Sequence, residues 1–142
     1  MTNIYKHYVP LIGRILLALI FIVMGYSKLT DLSGTTQFIA SAGLPLPGLV
    51  ALLVGAFEVA AGIAIVVGFQ VRIVGLFVAL FTLATSFVFH AYWAAPAEQQ
   101  YIEYLMFLKN LSIAGGMLLI SALGAGPLSV ASKVQEHAVR RA

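Results

Sequence analysis

Four apolar runs, each close to the ~20 residues that a helix needs to cross a bilayer, take up most of this chain of 142 residues. They are Val9–Leu29, Gly48–Gly68, Ile73–Trp93 and Tyr104–Gly124, and the connections between them are too short to hold a separate domain. Backbone amides inside hydrocarbon find no water to bond, so each run must satisfy its own hydrogen bonds as a helix. The expected fold is all-α: an integral membrane four-helix bundle, one domain over residues 1–142, with residues 125–142 as its tail. Any site has to lie in the bundle or at its mouth. Composition agrees, at 61% hydrophobic and 9% charged residues against about 25% charged in soluble domains.

Four spans bring both termini to one side. That side carries Lys6, Arg14, Arg72, Lys133, Arg140 and Arg141, whereas the other carries only Lys28 and Lys109. The positive-inside rule then places both termini, and the tail as a short helix or a disordered segment, in the cytoplasm. The basic residues form no solvated stripe, so no nucleic-acid partner is expected. Cysteine is absent, which removes dithiol chemistry, thiolate metal sites and iron–sulfur ligation from this chain. The first run reaches Lys28 without an A-x-A-like cleavage pattern and is read as a retained first helix.

Polar residues inside the runs carry the functional signal. Glu58 is the sole charge in VALLVGAFEVAAGIAIVVG, and a carboxylate at that depth costs roughly 2.5–3.5 kcal/mol even on insertion scales. It shares a stripe with Gly48, Ala51, Gly55 and Gly62, the small residues by which membrane helices approach one another. Glu58 is therefore expected on the packed face, near the midplane. In the first run Arg14, Ala18, Phe21, Gly25 and Lys28 share one face, and both basic side chains are long enough to snorkel. TTQFIASAG is expected to form a short interfacial helix with Ser33 as N-cap and Gly43 as its stop. The third run ends SFVFHAYW, which sets His90 near the outer surface beside an aromatic belt. Lys109 and Asn110 are expected one to two turns inside the fourth helix.

Lys28, Glu58, His90, Lys109 and Asn110 thus come from four spans, and all but Glu58 lie toward one end. Phe57, Phe87, Phe89 and Phe107 are candidate walls for a ring bound there. Plainer roles exist for each polar group: a register-fixing ion pair for Glu58, snorkelling for the lysines, an interfacial place for His90, interhelical bonding for Asn110. A close contact between Glu58 and either lysine would favour the ion pair. One histidine and one carboxylate fall short of the three protein ligands of a catalytic zinc site, so no metal is expected.

In order, the stretches GRILLALIFIVMGYSKL, FIASAGLPLP, GAFEVAAGIAIVVGFQVR, the third run ending at His90, and FLKNLSIAGGMLLISALGAGPLS resemble the DoxX family of small membrane proteins. The resemblance runs from about Leu11 to Ser129. It implies a multi-pass protein of the bacterial inner membrane, with Lys28, Glu58, His90, Lys109 and Asn110 as family-type polar positions. The related DoxD-type subunits of thiosulfate:quinone oxidoreductase imply a quinone-linked role.

Three readings follow. In the first, the chain is a quinone- or lipid-interacting subunit working with a redox partner protein; Lys109 or His90 donates to the head group, Glu58 relays protons, and Lys28 and Asn110 hold the ligand. In the second it is a non-enzymatic accessory or assembly protein that binds a partner. In the third it carries a small solute, and four helices would then require a homo-oligomer. Whether the chain is an enzyme is left open by its residues.

Overall fold

The computed structural model describes residues 2–133, with side chains from Ile4 onward, and among these residues every regular element is helical. The elements are α1 (Thr2–Thr30), α2 (Leu32–Ser41), α3 (Pro47–Val67), α4 (Val71–Phe89), a single 3-10 turn at Tyr92–Ala94, and α5 (Ala97–Leu123). Four helices, α1, α3, α4 and α5, are long and apolar enough to cross a membrane. α2 lies across one end of the bundle, hereafter the α2 end.

Local chemistry sets the helix ends. Pro47 opens α3 at its first turn, where a missing N–H costs nothing. Gly68 closes it with φ +78°, its N–H bonding Ala64 O at 3.0 Å. α4 then starts at Val71 after only three residues, with Gln70, at φ +44°, as its N-cap. α2 is capped by Asp31, whose Oδ1 accepts the Gly34 N–H at 3.0 Å. Ser33, expected in that role, is already inside the first turn.

Three ends differ from the apolar runs by more than two residues, and the first is α1, which starts at Thr2 rather than Val9. α4 stops at Phe89, with His90 as its C-cap, rather than continuing to Trp93. α5 starts at Ala97, seven residues before Tyr104, because nothing after Pro96 breaks a helix and Glu98 favours its first turn. The polar residues AEQQ disguise this start as loop.

The helices pack as two pairs, α1 along α3 and α4 along α5, with sparser contacts between the pairs. The face predicted for α1 is the buried one: Arg14, Ala18, Phe21 and Gly25 are buried and Lys28 partly so. It meets the small stripe of α3, where Ala51, Gly55, Glu58 and Gly62 are buried and Gly48 is exposed. A Cβ on Gly25 would come within 2.8 Å of the Glu58 Cβ and 2.9 Å of the Gly55 carbonyl, so this crossing depends on glycine. Ala18, Phe21, Ala61, Ile65, Val78, Ala79, Ala114 and Met117 form the core joining the pairs. Leu16, Leu19, Leu53, Phe77, Leu80 and Leu119 face outward, as a surface solvated by lipid allows.

At the opposite end, two arginines bond backbone carbonyls, and the buried Arg14 departs from snorkelling. Arg14 is 1% exposed and its Nη2 donates to the Leu128 carbonyl. Its guanidinium lies against Gly68 and Ser129, because α3 ends there and the segment after α5 folds beneath it. Arg72 donates from Nη1 to the Ala122 carbonyl at 2.5 Å, which ties the start of α4 to the last turn of α5. Residues 134–142, the second half of the expected tail, lie outside the described residues.

Candidate functional site

Near the α2 end, the two helix pairs separate and leave a cavity of about 510 Å³, within the ordinary range for small-molecule sites. Every α-helix contributes to its lining: Met24 and Lys28 from α1, Phe38 from α2, Val54 from α3, Thr85 and Phe89 from α4, Met106, Lys109 and Asn110 from α5, with His90 at the end of α4. Phe38 stacks on Phe89, ring centroids 5.1 Å apart at 20°. This contact brings α2 against α4 across the gap between the pairs.

Lys28 donates to Glu58 Oε2 at 2.7 Å, with side chains 26% and 9% exposed. The spacing Gly25-x-x-Lys28 explains the meeting: glycine lets α1 close on α3, and the lysine one turn further along reaches back to the carboxylate. Glu58 itself does not line the cavity; Lys28 stands between them. The contact is the one that favours an ion pair for Glu58.

His90 Nδ1 lies 2.7 Å from Glu103 Oε2, and since an ionised carboxylate only accepts, Nδ1 carries the hydrogen. This partner is absent from the sequence reading because Glu103 falls in what looks like loop. With α5 beginning at Ala97, Glu103, Met106, Asn110, Ala114 and Met117 follow at spacings of three, four, four and three. They form one face, and that face turns inward. Extending the helix back to Pro96 would have disclosed it.

Lys109 and Asn110 are twelve and thirteen residues along α5 from Ala97, or roughly 18–20 Å at helical rise, because the helix starts seven residues before Tyr104, from which one to two turns were counted. Lys109 Nζ approaches the Met106 thioether at 3.3 Å. Asn110 is 9% exposed, and no hydrogen bond to its amide occurs among the described residues. The aromatic walls are rearranged too. Phe89 lines the cavity as expected and Phe38 joins it. Phe57 pairs edge-on with Phe81, while Phe87 and Phe107 belong to a cluster with Tyr92, Trp93 and Tyr104.

Four of the five predicted polar residues therefore meet around one volume, and the fifth is hydrogen-bonded to one of them. Such a place combines apolar walls with a few convergent donors. It can hold an apolar body and orient a polar head.

The family model described as DoxX matches residues 9–91. Two proteins of Escherichia coli strain K12, inner membrane protein YphA and inner membrane protein YqjF, are 39% and 41% identical to the chain over 120 residues. The alignments cover 84% of this chain and 86% and 87% of theirs. A protein of Bacillus subtilis strain 168 named "Putative oxidoreductase CatD" is 33% identical over 104 residues, 73% of this chain and 75% of that one. No solved structure matches the chain.

Proposed function

The chain belongs to the DoxX family and is a multi-pass protein of the bacterial inner membrane, and on that premise we propose that it is a quinone- or lipid-binding subunit of a membrane redox system. The observation that carries this reading is the cavity at the α2 end, which is lined by Lys28 of α1, His90 at the end of α4, and Lys109 and Asn110 of α5. A quinone asks for flat apolar walls and hydrogen-bond donors at its carbonyl oxygens. The stacked Phe38 and Phe89 suit the ring, and Lys109, Asn110 and His90 suit the oxygens. The electrons that such a head group exchanges belong to a redox partner protein, and the relative carrying an oxidoreductase name supports that setting. In this arrangement both termini are cytoplasmic, by the bias of basic residues, and the cavity opens toward the periplasmic side.

Glu58 enters the reading in an altered role. Held 2.7 Å from Lys28, it fixes that lysine at the cavity wall, and any proton it exchanges with a ligand passes through the lysine. The same ion pair favours a second reading, an accessory protein whose polar contacts set bundle shape while an outer surface binds a partner. The two part company in one experiment. Protein purified in mild detergent is extracted and its organic phase analysed by mass spectrometry, alongside a Val54→Trp variant that fills the cavity. Co-purifying quinone or lipid that is lost in the variant supports a binding subunit. Wild-type protein that carries nothing and takes up neither a short-chain benzoquinone nor a lipid probe sinks it.

A further inference from the structure

Several of the polar groups around the cavity are already hydrogen-bonded. Lys28 is held by Glu58 and His90 by Glu103, each at 2.7 Å. Asp31, at the start of α2, accepts the Gly34 N–H with one carboxylate oxygen. Among the described residues, two consecutive residues of α5 are left without such partners. Lys109, whose side chain is exposed, has among the described residues only the Met106 thioether as a hydrogen-bond partner, at 3.3 Å, and sulfur of that kind is a weak acceptor. Asn110, nine-tenths buried, lines the cavity without a hydrogen bond among the described residues. The surplus is therefore one of donors, headed by an ammonium roughly 9 Å deeper than Glu103 at helical rise. Hydrogen bonds from an ammonium to an ionised oxygen are about twice as strong as those between neutral groups, so this pair discriminates between head groups.

We infer that the cavity takes a molecule with an oxyanion head, a carboxylate or a phosphate, bound by Lys109 Nζ and the Asn110 amide, with its apolar body along the Phe38–Phe89 wall. The inference rests on the cavity being a binding site and specifies the charge of what binds there. A neutral quinone is on this account the weaker ligand, and an acyl chain bearing an acid group the stronger.

The test uses full-length, delipidated protein in detergent at pH 8, titrated calorimetrically with dodecanoate and with dodecanol, which share a chain and differ in head charge. Dodecanoate is expected to bind about tenfold more tightly, equivalent to about 1.4 kcal/mol. Lys109→Gln should abolish the difference while dodecanol binding persists, and Lys109→Arg should keep it, which separates charge from loss of fold. Equal binding of the two probes, or a preference that survives Lys109→Gln, overturns the oxyanion and leaves the cavity reading standing. If neither probe binds wild-type protein, or Val54→Trp leaves binding unchanged, the cavity reading falls as well. Competition with phosphatidylglycerol then names the source: displacement of dodecanoate identifies a lipid phosphate, and persistence identifies a free carboxylate.

Discussion

A carboxylate buried among glycines and alanines is tolerable only while its counter-charge stays beside it, and for Glu58 that counter-charge is Lys28. Removing one member of a fully buried pair costs ~3–5 kcal/mol, because the other is stranded. Lys28 is 26% exposed at its side chain and Glu58 only 9%, so losing the lysine is the harsher change. Lys28→Met should destabilise the protein by about 3 kcal/mol, and adding Glu58→Gln should recover at least half of that. Thermal unfolding in detergent measures both; a coupling below about 0.5 kcal/mol in the double-mutant cycle would rule out the pairing. Glu58 was legible from its depth and its small neighbours, and so was the face of Lys28. That Lys28, rather than Lys109, would reach it was not, since both lysines sit on spans of similar polarity. The His90–Glu103 contact was hidden for a different reason. It links residues only thirteen apart, across a connection whose length depends on where α5 begins.

At the level of elements, the tight crossing of α1 over α3 depends on Gly25, whose absent side chain leaves room for the Gly55 carbonyl and the Glu58 Cβ. Gly115 on α5 is the natural contrast, with nothing within 4 Å of an added Cβ. Gly25→Ala is expected to cost about 1–3 kcal/mol through overpacking, whereas Gly115→Ala should be neutral or stabilising by up to about 1 kcal/mol through helix propensity. The same unfolding measurement compares them, and equal effects would show that the crossing has slack. Hydropathy located all four spans but misplaced ends where polar residues continue a helix. AEQQYIE reads as a connection with room for one helical turn after Pro96, because its side chains suit water, yet its backbone carries on from Pro96 into α5 without a breaker. The reverse held at α4, where apolar and aromatic residues run to Trp93 while the α-helix ends at Phe89, followed by the 3-10 turn.

For the molecule as a whole, the two-pair architecture lay beyond what hydropathy shows. Periodicity says which face of a helix is buried, and not which neighbour buries it. The cavity arises where the pairs part beneath α2, so its existence was anticipated from the convergence of polar groups but its walls were not; only Phe89 of the four expected rings lies there. The topology is open to direct test because the chain has no cysteine. Single cysteines at Gln99 and Lys133, both exposed, report opposite ends of the bundle. A thiol reagent that cannot cross membranes should label Gln99→Cys in spheroplasts and Lys133→Cys only after permeabilisation; the converse would invert the protein. The pairing also bears on biogenesis. α1 and α3 are each other's principal partners, and both are made before α4, so Glu58 emerges from the ribosome thirty residues behind the lysine that neutralises it. The one acidic side chain deep in a span is thus compensated while the nascent chain has only two helices to insert, and the later pair can dock on a unit whose electrostatic debt is already settled.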